Sequence, residues 1–452
     1  MKILLLSYSF GAWRGSEAGV GWNVARGLSE RGHDVTVVTT SEFADINHRA
    51  IADTGLSLRL EEWDFGLTRF AEPRSYYQWQ HMVGSALQQL CGKERFDVAH
   101  HITFNQYRGI RDVFATGLPY VIGPVGGADT VAVPLLRELP WRAALKEVAR
   151  YIPWDVLPLA RCIRQSPQPN VLMASTLGTW ERLRRTGGLS EAELYPIIAV
   201  GASEISDKAP ERASPPYILF DGGLRPEKGL WLLLRVFGRL WESGVRIRLS
   251  IAAVPEKGRP AVEAYAARCG LPSEAVEVMP FVPREQMLQK MRGAKVFVTA
   301  AFRDSGCMAL LEALAMGVSC LCLDTGGQHW LPEELALKVP VTSHVESDLL
   351  EALHQLVLAP PRDADWHARR AQWLRTHMTW DARLDHLEDV YRRVCAQGEC
   401  CRESAAGGRT PHSKMSLFFC CYEVLYCYAG FQRNALAAGL CPLRHGSGRG
   451  GR

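Results

Sequence analysis

The chain predicts an α/β protein of two halves, each a parallel sheet wrapped by helices. Three observations predict it. Residues 1–40 read strand, loop, helix, strand. Residues 295–327 read strand, turn, helix, strand, turn. Between them lies 206–216, S-D-K-A-P-E-R-A-S-P-P, a polar stretch with three prolines that reads as a linker. At 452 residues the chain is long enough for two domains with ample cores.

Composition narrows the class. Apolar residues make up 47% and charged residues 22%, as in a globular enzyme. The formal net charge of +4 is matched by the excess of seven Lys/Arg over three acids after residue 398, so the body is neutral. A neutral body argues against nucleic acid as a partner. Of thirteen cysteines, seven lie at or after Cys395 and the other six form no C-x-x-C pair. No disulfide framework is indicated, and the body is expected in a reducing cytoplasm. Met1–Ser7 is too short for a secretory signal, and no stretch of the body spans a membrane.

In the first half, Lys2–Leu6 is the opening strand, 7–16 a Gly-containing loop, Glu17–Ser29 a helix and Val35–Thr40 the second strand. The glycines at 11, 15, 19 and 21 do not form G-x-G-x-x-G, so a nicotinamide cofactor is disfavoured. Residues 56–62 alternate as a strand, and 74–92 form an aromatic-rich helix. Phe96–Thr103 is a strand that ends in two adjacent histidines, His100 and His101. Neighbours on a strand point to opposite faces, so at most one of them faces a cleft. Leu118–Ile122 runs into a turn whose Gly126 and Gly127 admit close approach to a ligand. Residues 130–169 mix Trp, Tyr, Pro and Arg, and read either as an acceptor lid or as a segment that meets a membrane surface. Asn170–Ala174 is a strand, a helix runs to about Thr186, and Tyr195–Val200 reads as another strand.

In the second half, Tyr217–Phe220 is a strand and its turn reads D-G-G-L-R-P-E-K-G. Glycines with two cations, Arg225 and Lys228, before a helix N-terminus suit a diphosphate. Arg246–Ala253 and Val276–Met279 are strands, with helices over Ala261–Cys269 and after Phe281–Met287. After the strand Lys295–Ala301 come Asp304, Ser305, Gly306 and Cys307, then a helix to Met316. Its Glu312 has apolar helical neighbours, which is costly for a carboxylate unless something binds it. Val318–Leu323 and the turn 324–327 follow, then helices over Asp348–Leu358 and from Trp380 to about Val394.

An acid at 304, Ser-Gly, then L-E-A-L-A-M-G with Glu312 eight residues on resembles the acid-x7-Glu motif of retaining GT-B glycosyltransferases of family 4. The resemblance covers about residues 1–395. It implies two Rossmann-like domains facing across a cleft, with Glu312 at the donor ribose and Asp304 near the transferred sugar. R-G-S-E-A-G-x-G-W is similar to the family's N-terminal loop, which puts Gly15 and Ser16 at donor phosphate or acceptor. His100 matches the family's D-[VI]-x-H slot, with His101 one place on, so these two are catalytic candidates. D-G-G-L-R-P-E-K-G resembles G-R-L-x-x-x-K-G, with Gly223 where the family has Arg.

The expected protein is a metal-independent hexosyltransferase. It needs no cofactor and moves sugar from a nucleoside diphosphate donor to a glycan or lipid-linked acceptor in polysaccharide biosynthesis. Arg225, Lys228, Ser305, Gly306, Cys307 and Glu312 would bind the donor. A catalytically inactive nucleotide-sugar-binding protein on the same fold is the alternative. Residues 1–205 form the acceptor-side domain, 206–216 the linker, 217–379 the donor domain and 380–395 a closing helix. Residues 396–452 are expected to be a poorly ordered tail. The expected location is the cytoplasm, with peripheral contact at the inner face of the membrane.

Overall fold

The computed structural model describes residues 1–406, and two parallel sheets organise them. Met1–Cys401 is one compact unit; of a second unit, Arg402–Arg452, only residues up to Ala406 are described. The first sheet holds β1 (Lys2–Ser7), β2 (Asp34–Thr39), β3 (Leu58–Glu62), β4 (Val98–Thr103), β5 (Tyr120–Val125), β6 (Asn170–Ala174) and β7 (Glu193–Leu194), in the order β3-β2-β1-β4-β5-β6-β7. The second holds β8 (Tyr217–Asp221), β9 (Arg248–Ala252), β10 (Val276–Val278), β11 (Val296–Thr299), β12 (Ser319–Leu323) and β13 (Ala336–Val339), in the order β10-β9-β8-β11-β12-β13. The inner strands β1, β4, β11 and β12 are buried on both faces, as a sheet covered by helices requires.

In each sheet the chain order reverses once, between β1 and β4 and between β8 and β11. Loops leaving the carboxyl ends of the two strands diverge at such a point and open a crevice for a ligand. In the second sheet those loops are 222–229 and 300–307, both singled out in the sequence.

Several sequence expectations are corrected. Tyr195–Val200 is not a strand: the paired residues are Glu193 and Leu194, and Val200 makes only an isolated bridge to Thr379. Pro196 lacks the N–H a ladder needs. β13 and the helices Ala44–Thr54 and Ala364–His377 were not expected. The last of these carries a readable start signal, Asp363, whose side chain accepts from the Trp366 N–H. Segment 130–169 forms two helices, Trp141–Arg150 and Leu157–Gln165, with 3-10 turns at Val133–Glu138 and Pro153–Val156.

The final helix runs Trp380–Ala406, so residues 396–406 continue it instead of beginning a tail. They contain helix formers and no proline. The tail expectation for 407–452 lies outside the described residues. The helix packs against the first half: Tyr391 is buried on His100, and Arg31 and His33 pair with Asp385 and Glu388.

Candidate active site

Three turns at the carboxyl end of the second sheet lie against one another. Lys228 Nζ donates to Asp304 Oδ2 at 2.5 Å, and the Phe302 N–H donates to the Glu227 carbonyl at 2.8 Å. The Gly327 N–H donates to the Asp304 carbonyl at 2.7 Å, which adds the turn after β12. Asp304 Oδ1 accepts from the Gly306 N–H at 3.2 Å. Among the described residues, the N–H groups of Ser305 and Cys307 have no hydrogen-bond partner. They stand at the start of the helix Met308–Ala315, where such donors favour an anion. The Cys307 thiol is buried and pushed up to about 12, chiefly by that burial, so it stays protonated. Burial would lower the Lys228 ammonium, but the adjacent Asp304 carboxylate prevails and holds it charged.

Gly223, which stands where an Arg was expected, has φ +55°. A Cβ there would lie 2.8 Å from the Ala253 carbonyl oxygen. This backbone therefore takes glycine and leaves no room for an arginine. Arg225 is 69% exposed and paired with Glu227.

Glu312 is nearly buried on the helix that follows Asp304. Burial raises its carboxyl above the ordinary value, against the pull of Arg284. Arg284 donates through Nε and Nη2 to the single oxygen Oε1, at 3.0 and 2.7 Å, and through Nη2 also to Glu204 at 2.7 Å. Among the described residues Glu312 Oε2 has no hydrogen-bond partner, which leaves it able to accept one. Arg284 and the half-buried Asp221, at the end of β8, were missed in the sequence. No motif marks Arg284, since it is brought to Glu312 by packing of its helix on the next.

The first half meets this cluster through Gly126. A Cβ on Gly126 would stand 2.6 Å from Ser305 Oγ, 2.7 Å from Asn105 Oδ1 and 2.9 Å from Ser175 Oγ. Backbone of one half thus touches the 304–307 turn of the other, and a larger residue would force the Ser305, Asn105 and Ser175 side chains to shift. Trp330 Nε1 donates to the Ser175 carbonyl at 2.9 Å, and a Cβ on Gly306 would press on Ile198. The Gly127 carbonyl is held by Arg108 and Arg150, at 2.9 and 2.8 Å. Gly15 caps the helix Ser16–Glu30, and a Cβ on it would meet only open space. Sterics therefore do not require a glycine there.

The two histidines part ways. His100 is fully buried; Nε2–H donates to the Gly123 carbonyl and Nδ1 accepts from the Tyr391 hydroxyl, both at 2.6 Å. Both nitrogens of this expected catalytic candidate are thus taken inside the fold, and burial drives its imidazolium down to about 4. His101 points to the opposite face, as adjacent strand residues must. Its Nδ1–H donates to both oxygens of buried Asp112, at 3.0 and 2.8 Å, while Nε2 is buried with no partner among the described residues. The Asp112 contact fixes the tautomer that leaves a lone pair on Nε2. Glu17 Oε2 accepts from the Asn105 N–H at 3.0 Å. Burial pushes the Glu17 carboxyl up to about 7, with the Asn105 N–H and His101 acting in the other direction. Asn105, Asp112 and Glu17 were not singled out, because each matters only through a partner distant in sequence.

Among the described residues no group of three His, Cys, Asp or Glu is placed to hold a metal, and no helix is long and apolar enough to cross a membrane.

Residues 202–373 match the family model described as "Glycosyl transferases group 1". The chain is 29% identical over 211 residues to D-inositol 3-phosphate glycosyltransferase of Nocardia farcinica (strain IFM 10152). That alignment covers 44% of this chain and 46% of the relative, so the chain spans about half the length of the curated relative it matches. Among solved structures it resembles sucrose-phosphate synthase from Thermosynechococcus elongatus, with TM-score 0.62 at 14% identity over 88% of this chain and 99% of that one. It also resembles Anabaena HepE in complex with UDP and glucose, with TM-score 0.58 at 13% identity over 87% and 100%. A third likeness is to WaaG, a glycosyltransferase involved in lipopolysaccharide biosynthesis, with TM-score 0.52 at 15% identity over 88% and 99%. At these identities the structures show the fold, which is the two-domain Rossmann-like GT-B arrangement.

Proposed function

Because residues 202–373 carry a glycosyl transferases group 1 domain within a GT-B fold, we propose that this protein is a retaining glycosyltransferase of the family-4 type. It moves a hexosyl group from a nucleoside diphosphate donor to a glycan or lipid-linked acceptor. One observation carries the reading: Lys228, Asp304 and the free N–H groups of Ser305 and Cys307 converge at the point where the second sheet reverses, one helical step from Glu312. The likeness to a protein that holds UDP and glucose supports the donor class.

The diphosphate would lie on the Ser305 and Cys307 N–H groups and take Lys228 as its cation, displacing Asp304. Charge on the leaving diphosphate is met by groups already oriented before it forms, where electrostatic stabilisation is most effective. Glu312 Oε2 accepts from donor ribose, while Arg284 holds the carboxylate by its other oxygen and keeps it aimed. Asp304, released from Lys228, stands beside the transferred sugar. His101 Nε2, with its tautomer set by Asp112, accepts from a sugar hydroxyl at the first half. In this front-face scheme the bond from anomeric carbon to phosphate oxygen breaks as the acceptor oxygen adds on the same face. The acceptor proton passes to the leaving phosphate.

The test is Glu312→Ala. The loss of Oε2 is expected to abolish transfer while circular dichroism shows a folded protein; near-normal transfer by that variant would remove the assignment. UDP-, GDP- and ADP-sugars screened by thermal shift identify the donor, since a ligand of the folded state raises its melting temperature.

Gly223 supports a second reading, a nucleotide-sugar-binding protein without catalysis, because it excludes the expected arginine. A parent protein that binds a nucleotide sugar yet neither transfers nor hydrolyses it would establish that reading.

A further inference from the structure

Fourteen large apolar side chains are exposed among the described residues, and eight of them lie between Val133 and Leu157. That clustering is not the scatter expected of an ordinary surface. The helix Trp141–Arg150 shows its origin. Trp141, Leu145 and Val148 follow one another at helical spacing and face out, whereas Ala143, Ala144 and Glu147 face in. Tyr151, Ile152 and Trp154 extend the exposed apolar strip past the helix end. Trp141 and Trp154 are each 68% exposed.

The charges sort by sign. Arg137, Arg142, Lys146, Arg161 and Arg164 are exposed on the same segment. Its three acids are all turned to partners inside the protein: Glu138 to Arg235, Glu147 to Arg303, and Asp155 to Arg108 and Arg182. The outward charge of residues 133–164 is therefore wholly positive, in a body that is neutral as a whole. Apolar aromatic residues rimmed by Arg and Lys match the boundary between lipid headgroups and acyl chains. A second copy of the same face would bring like charges together, which disfavours a dimer through it.

The face also borders the cleft. Glu147 pairs with Arg303, the neighbour of Asp304, and Arg150 donates to the Gly127 carbonyl. We propose that residues 133–164 seat this protein on an anionic lipid bilayer, with the cleft held at the membrane surface to receive a lipid-linked acceptor. The acceptor clause rests on the transferase reading; the docking itself does not.

The experiment is flotation of the full chain with vesicles of phosphatidylcholine mixed with phosphatidylglycerol, and with phosphatidylcholine alone. The protein is expected to float with the mixed vesicles, less with the neutral ones, and less as salt rises. The double variant Trp141→Glu/Trp154→Glu should lose about tenfold or more of the bound fraction. Arg142→Glu/Lys146→Glu should lose a comparable share at low salt. Both should keep the parent's melting temperature, because the replaced side chains are exposed. The proposal is overturned if the parent stays with the aqueous fraction, or if the tryptophan variant floats as well as the parent. A parent dimer that Trp141→Glu converts to monomer would equally overturn it, by making this face a contact between copies. Thermal shift with UDP, GDP and ADP on the same proteins reports on the donor cluster separately, so loss of docking and loss of the transferase reading are read independently.

Discussion

Lys228 is where the donor-site reading is most exposed to test. Its ammonium is 2.5 Å from Asp304, with the two side chains 22% and 14% exposed. Lys228→Met removes the cation and leaves the Asp304 side chain, among the described residues, with the Gly306 N–H as its partner. Partial exposure keeps the stability loss to about 1–3 kcal/mol, below that of breaking a fully buried pair. A charge-assisted hydrogen bond to a diphosphate contributes about 1.5–3 kcal/mol, so the variant should bind its nucleoside diphosphate about 10- to 150-fold more weakly. Asp304→Asn makes the opposite change. The amide oxygen still accepts from Gly306, but Lys228 loses its competing anion, so diphosphate should bind at least as tightly as to the parent. Isothermal titration with UDP, GDP and ADP gives both numbers. The reasoning fails if Lys228→Met binds like the parent, or if Asp304→Asn weakens binding as much as Lys228→Met does.

Glu17 and His100 give two further tests. The Glu17 carboxyl is raised from 4.5 to about 7 in the folded protein, so the native state holds the extra proton and stability should fall as pH rises across that range. The difference corresponds to about 3 kcal/mol at most, and partial exposure lowers it to about 1–2. Glu17→Gln should flatten this slope in urea titrations at pH 5 and pH 8; an unchanged slope would show that Glu17 is not its source. Tyr391→Phe removes the hydroxyl on His100 Nδ1 and should cost about 1–2 kcal/mol in urea unfolding, with diphosphate affinity unchanged. A loss of affinity in that variant would return His100 to the site.

Much of the candidate site was legible because it is local. Lys228 and Asp304 sit in glycine-bearing turns and Glu312 on the helix after one of them, and their chemistry follows from type and spacing over a few residues. The His100–His101 pair shows the limit. Strand alternation says that the two point apart, but not what each one meets; Tyr391, 291 residues away, occupies His100, and buried Asp112 holds His101. Pro196 stands within the apolar run 195–200 and breaks it as a strand, because it has no N–H for a ladder. Arg284 could not be singled out, because a lone Arg at a helix start has a partner only after two helices pack.

By itself the sequence determined two parallel-sheet halves, the glycine-bearing turns and the acids within them, since hydrophobic period and turn chemistry act over a few neighbours. Only the tertiary structure decided which charges pair, what each buried histidine bonds to, and that the outward charge of residues 133–164 is all positive. Those outcomes depend on contacts between segments far apart in the chain, which no local pattern encodes.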